Sequence, residues 1–198
     1  MKKFIVSIIA TIITVSCFAQ NLNESKIEGN MYVTVNMNTE SQDLGDVKIM
    51  LKSSTAKKFV KDLRKIEKKV ANWAETAKNK NVKDYKKTLE GSYSYNKLGF
   101  NNEDGANLAD YNYNNYLVPY FTVDSEGQCK LVLGGYYSGY NTSDLGSNYV
   151  KRNKFFFYMS IPVNELNSWI SDLEVASNEI NNKQKDVDAM EGIFMATR

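Results

Sequence analysis

The chain has 198 residues, no histidine, two cysteines, and 25 Lys and Arg against 23 Asp and Glu. Without histidine there is no Ser-His-Asp triad, Cys-His pair, HExxH zinc site or ordinary haem ligation, which removes most hydrolase and metalloenzyme templates. Removing a leader that carries Lys2 and Lys3 but no acid brings the net charge to zero, so the composition carries no electrostatic footprint for nucleic acid.

That leader is the first element. Lys2 and Lys3 precede an apolar run over residues 4–15 and then small residues before Gln20, the pattern of a secretory signal peptide over residues 1–19. The run is too short to span a membrane comfortably, and nothing apolar of spanning length follows. Two processing routes compete. Cys17-Phe18-Ala19 meets the small-x-small rule for cleavage before Gln20 and resembles a bacterial signal peptidase I junction. Residues 14–17 resemble a degenerate lipobox, which would leave Cys17 lipidated and the protein membrane-anchored. Cleavage after Ala19 is favoured, because the lipobox lacks its usual leucine three residues before the cysteine. Residues 20–198 then form a single exported domain, periplasmic, outer-membrane-associated or extracellular, able to bury about 70% of its unfolded-chain surface. With Cys17 removed, Cys129 has no internal disulfide partner.

Residues 20–29 are polar and read as a loose arm. Over residues 31–38, Met31, Val33, Val35 and Met37 alternate with Tyr32, Thr34 and Asn36, and residues 47–52 alternate again, so the two predict a hairpin. Ser53, Ser54 and Thr55 are natural N-cap residues for a helix whose apolar positions run Phe59, Leu63, Ile66, Val70, Trp73 and Ala77. Lys57, Lys61, Arg64 and Lys68 fall opposite that stripe. They read as a solvated face, or as a docking surface for an anionic envelope lipid or acidic partner. Residues 82–89 suggest a second short helix.

Residues 91–149 shift to tyrosine, asparagine and glycine, with a strand expected near 92–98, a long loop over 101–115, and a hairpin closed by Asp124-Ser125-Glu126-Gly127. Gly134, Gly135 and Gly139 lack the Lys-Ser/Thr pair of a phosphate loop and read as a bulge and turn. Residues 154–161 are apolar at both alternating positions, which predicts a central strand covered on two faces. Pro162 ends it, Asn164 suits an N-cap, and a helix follows on Val163, Leu166, Ile170 and Leu173. Its apolar pattern decays, so residues 181–198 are expected to be loose or to pair with another chain. The whole reads as an α+β fold, an antiparallel sheet of about five to six strands packed against two main amphipathic helices. It falls into two topologically similar halves with poor residue identity.

The remaining chemistry is carboxylate and aromatic. Glu103, Asp104, Asp124, Glu126 and Asp144 sit in turns, where acids bond to local backbone, so a glycosidase-type pair is the weaker reading. Residues 101–105 lack the carboxylate alternation of a calcium loop. Cys129 reads as a small core hydrophobe, having no histidine base. The Asn-x-Ser/Thr triplets at Asn23 and Asn141 matter only in a eukaryotic secretory pathway, and the leader looks bacterial. Tyr111, Tyr113, Tyr116, Tyr136, Tyr137 and Tyr140 form the one positive signal, since tyrosine joins a rigid apolar ring to a polar tip suited to sugar rings or a protein interface. The leading expectation is a non-enzymatic binding or structural component of a bacterial cell envelope, with an unknown envelope protein or glycan as partner and no cofactor or metal. The alternative is a glycan-binding module using the tyrosines, and the third is a carboxylate-only hydrolase.

Overall fold

The computed structural model describes residues 22–39, 46–102, 105–108, 115–140 and 152–196. Cys17, Tyr111, Tyr113, Glu103, Asp104 and Asp144 lie outside these residues. Alternation sets the first meander. Strands β1 (Leu22–Ile27), β2 (Asn30–Thr39) and β3 (Val47–Leu51) are antiparallel, with Val33, Val35 and Met37 of β2 facing Leu51, Ile49 and Val47 of β3 on one side. Glu28 and Gly29, at φ 50° and 76°, make the two-residue turn between β1 and β2, so the expected loose arm is in fact a paired strand.

Helix α1 (Ser53–Asn79) follows, burying Phe59, Val60, Leu63 and Val70. Its N-cap position is taken by Lys52, which makes no side-chain cap bond, rather than by one of the expected hydroxyl residues. Asn81 and Asp84 at positive φ stop the chain from continuing as helix. Residues 82–89 instead enter strand β4 (Tyr85–Thr88); near 92–98, where a strand was expected, lie β5 (Tyr93–Ser94) and the start of β6 (Lys97–Asn102), and β7 (Gly105–Leu108) stands where a long loop was expected.

The second meander is β8 (Tyr116–Val123), β9 (Cys129–Tyr140) and β10 (Arg152–Pro162). A 3-10 turn (Val163–Glu165), not an Asn164 cap, leads from Pro162 into α2 (Leu166–Ala196). The strands run in the order β4-β8-β9-β10-β2-β3-β6-β7, with β1 beside β2 and β5 beside β8, so among the described residues the sheet has ten strands rather than five to six. Every pairing is antiparallel. β4 and β5 cover the outer edge of β8 at residues 120–123 and 116–117, and the break between them falls at Val118 and Pro119, where proline has no amide to donate. Two meanders, each ending in a helix, meet where Phe157 and Tyr158 of β10 pair with Thr39 and Asn38 of β2.

Both helices lie on the side of Leu131, Leu133, Phe157, Ile161, Ile49 and Leu51, and one apolar cluster joins them. The helices run antiparallel. Ser53 Oγ donates to Ser177 O at 3.0 Å and Ser177 Oγ returns to Ser53 O at 3.1 Å, which satisfies the buried Ser177 hydroxyl. At the other end Arg64 donates to Asn167 Oδ1 and Ser171 Oγ, both at 2.9 Å. The expected loose tail is helical as far as Ala196. Ile180 and Val187 are buried, Lys183 pairs with Glu24, and Gln184 accepts from Met31 N at 2.7 Å and donates to Gly29 O at 3.1 Å. The polar positions that weaken the heptad therefore dock on the β1–β2 turn. Among the described residues no helix is long and apolar enough to cross a membrane.

Candidate functional site

Strand alternation gives β8, β9 and β10 two different faces. Leu117, Phe121, Leu131, Leu133, Tyr137, Phe155, Phe157, Met159 and Ile161 are buried toward the helices. On the other face lie Tyr116, Val118, Tyr120, Val132, Gly134, Tyr136, Phe156 and Tyr158, placed side by side by the pairs Val118↔Gly134, Tyr120↔Val132, Phe156↔Tyr136 and Tyr158↔Gly134. This face is aromatic and open to solvent: Tyr136 is 64% and Tyr116 42% exposed, and Tyr120, Phe156 and Tyr158 are half-buried.

The rings contact one another in series. Tyr136 and Phe156 have centroids 4.9 Å apart at 48°, and Phe156 and Tyr158 are 5.6 Å apart at 18°, a stacked pair. Gly134 is their seat. A Cβ there would stand 2.6 Å from Phe156 Cζ and 3.6 Å from Tyr120 Cε2, so both rings lean over the glycine. Gly134 and Gly135 are thus in-register members of β9, not the expected bulge and turn. At the margin Lys86 Nζ sits 4.3 Å from the Tyr120 ring centroid. Lys130 Nζ is held 2.9 Å from Asp124 Oδ2. The face therefore presents rings and hydroxyl tips, with the Lys86 ammonium against Tyr120 at its margin.

Of the six tyrosines singled out in the sequence, Tyr116 and Tyr136 lie on this face. Tyr137 is a correction: it is 6% exposed and packs on Phe155 at 4.9 Å, because adjacent strand residues point to opposite sides. The side chain of Tyr140 lies outside the described set, like Tyr111 and Tyr113. Sequence reasoning missed Tyr120, Phe156 and Tyr158. The signal was present in β8, where Tyr116, Val118, Tyr120 and Thr122 alternate with Leu117, Phe121 and Val123.

The other candidates are placed as follows. Lys57, Lys61 and Lys68 are exposed on α1, and Lys57, Lys61 and Arg64 line a groove of about 390 Å³ with Val60, Glu174 and Asn178. Arg64 is bound to Glu67 at 3.1 Å as well as to α2, so it ties the helices together. Asp124 closes the β8–β9 turn, accepting from Glu126 N at 3.1 Å and Gln128 N at 2.8 Å. The hydrogen bond from Lys130, then those backbone donors, hold its carboxyl below the usual carboxylate range. Cys129 is half-buried against Ala74 O, and burial, then the neighbouring Asp124 charge, pushes its thiol up, away from the thiolate a nucleophile needs. Among the described residues there is no group of three or more Cys, Asp or Glu placed to hold a metal ion. No family model, no characterised protein and no solved structure matches the chain.

Proposed function

We propose that this protein is a non-enzymatic, exported component of a bacterial cell envelope that binds glycan on the open face of β8, β9 and β10. The single observation that carries the reading is the series of touching rings, Tyr136, Phe156 and Tyr158, laid across Gly134 on a solvent-facing sheet. The C–H faces of a pyranose pack on aromatic rings, while tyrosine hydroxyls and nearby Thr122 and Ser160 bond the ring hydroxyls. A stable protein interface engages about 20 to 30 residues a side, more than this band supplies. Export is supported by Lys2, Lys3, the apolar run and the Ala19-Gln20 junction.

A glycan array followed by calorimetry with the purified mature domain tests the binding. Tyr136→Ala is expected to lower affinity about tenfold without changing the fold, as for a central aromatic contact. An array with no signal removes the glycan reading. Sequencing the N-terminus of the secreted product tests export: Gln20 as first residue supports it, and a diacylated Cys17 makes the protein membrane-anchored instead.

A further inference from the structure

The seam between the two meanders holds a second feature. Among the described residues, β2 pairs with β1 as far as Val35 and with β10 only from Asn38, so residues 36 and 37, and β10 beyond Tyr158, have no described strand partner on that side. A cavity of about 80 Å³ opens there. Asn36, Asn38 and Ser160 lie on its open-face side, by alternation with the buried Met37, Met159 and Ile161. Trp169 of α2, also lining it, comes from the helix side and is 1% exposed. Its indole Nε1–H is buried with no hydrogen-bond partner among the described residues. A buried donor left so is costly, and the great majority of such groups are satisfied in native proteins.

We infer that this cavity is a specificity pocket of the glycan-binding face and takes the acetamido group of an N-acetylated sugar; the inference rests on the glycan reading above. Position comes first. Asn38 at its rim is the register partner of Tyr158, the end of the ring series, so a sugar stacked on Tyr158 has the seam beside its edge. Size is second. At about 30 Å³ per water-sized group the cavity holds two or three, the bulk of an acetamido group and too little for a sugar ring. Chemistry is third. The carbonyl oxygen accepts from Trp169 Nε1–H, the amide N–H donates to an oxygen of Asn36, Asn38 or Ser160, and the methyl rests on Met159 and Ile161. A sugar with a plain hydroxyl at that carbon leaves the indole donor unmet.

The test compares N-acetylated chitotetraose with cellotetraose, β-1,4-linked tetrasaccharides that differ in the acetamido or hydroxyl group at one carbon of each ring. Calorimetry on the mature domain is expected to give at least tenfold tighter binding of chitotetraose, the worth of one buried hydrogen bond. Trp169→Phe keeps an aromatic ring and removes the donor, and Ser160→Val obstructs the mouth from a half-buried strand position. Each is expected to bring the ratio of the two dissociation constants toward one, and Ser160→Val decides the matter if Trp169→Phe does not fold. Equal binding of both sugars by the unaltered protein overturns the pocket and leaves the aromatic face standing. Binding of neither overturns the glycan reading and the pocket with it. A preference that survives both substitutions also overturns the pocket.

Discussion

Phe156 and Phe157 are neighbours in sequence, and each lays its ring across a glycine of β9, Phe156 over Gly134 and Phe157 over Gly135. Their surroundings differ completely. Phe157 lies under the helices, fully buried, with Tyr95 at 6.1 Å and Phe155 at 6.0 Å, whereas Phe156 lies half-buried among tyrosines that reach solvent. The same local packing thus serves two ends. Covered on all sides, a ring over glycine contributes to stability through buried area; open on one side, it offers a flat apolar surface whose burial awaits a ligand.

Substitutions on the two faces sharpen that contrast. Phe157→Ala is expected to cost about 3 to 5 kcal/mol in chemical denaturation, because the cavity is walled by β-sheet and helix and has little room to collapse. A midpoint close to that of the unaltered protein breaks the assignment of the inner face as the core. Gly135→Ala comes next, at about 2 to 3 kcal/mol, since its methyl would stand 2.7 Å from Phe157 Cζ and 3.0 Å from Leu117 Cδ2, neither free to move. Gly134→Ala creates a similar clash, yet Phe156 has solvent to swing into, so the expected cost is only about 1 kcal/mol. Its larger effect is on glycan affinity. Equal destabilisation by the two alanines would mean that the outer face is packed as firmly as the inner one.

The smallest effect concerns acid. The Asp124 carboxyl is held below its ordinary value in the folded protein, so its contribution to the β8–β9 turn is present above the unfolded carboxylate pKa of about 3.9 and is lost as pH falls through the folded value. Asp124→Asn is expected to flatten the stability profile in that acid range, measured by urea titration at successive pH values. An unchanged slope removes the turn from the acid response.

Periodicity made β2, β3, β8, the start of β9, β10 and both helices legible, because Val33, Val35 and Met37, or Phe59, Leu63 and Val70, state their period within a few residues. What was illegible depends on partners distant in sequence. β4 is exposed along its length, with two lysines, and is a strand because β8 pairs with it. The end of α2 is ordered by Glu24 and the Gly29 turn, which no local pattern announces. For the candidate site, alternation alone separates Tyr136 from Tyr137. The apolar run Phe155 to Met159 misled for a physical reason: burial on both faces and burial on one with recognition on the other produce the same residue types.

The seam has a further consequence, for the way the molecule comes apart. Among the described residues two pairs join β2 to β10, with Thr39 Oγ1 donating to Phe156 O beside them, and the helices add a second connection between the meanders through the common apolar cluster. α2 crosses that seam, following β10 in the chain yet docking on β1 and β2 through Lys183 and Gln184, so the two meanders open against a helix layer they share. Native-state hydrogen exchange would find amides of β8–β9 and β2–β3 protected to different depths, and cutting the link at Ser53, Ser177 and Arg64 would widen that difference without weakening either meander within itself.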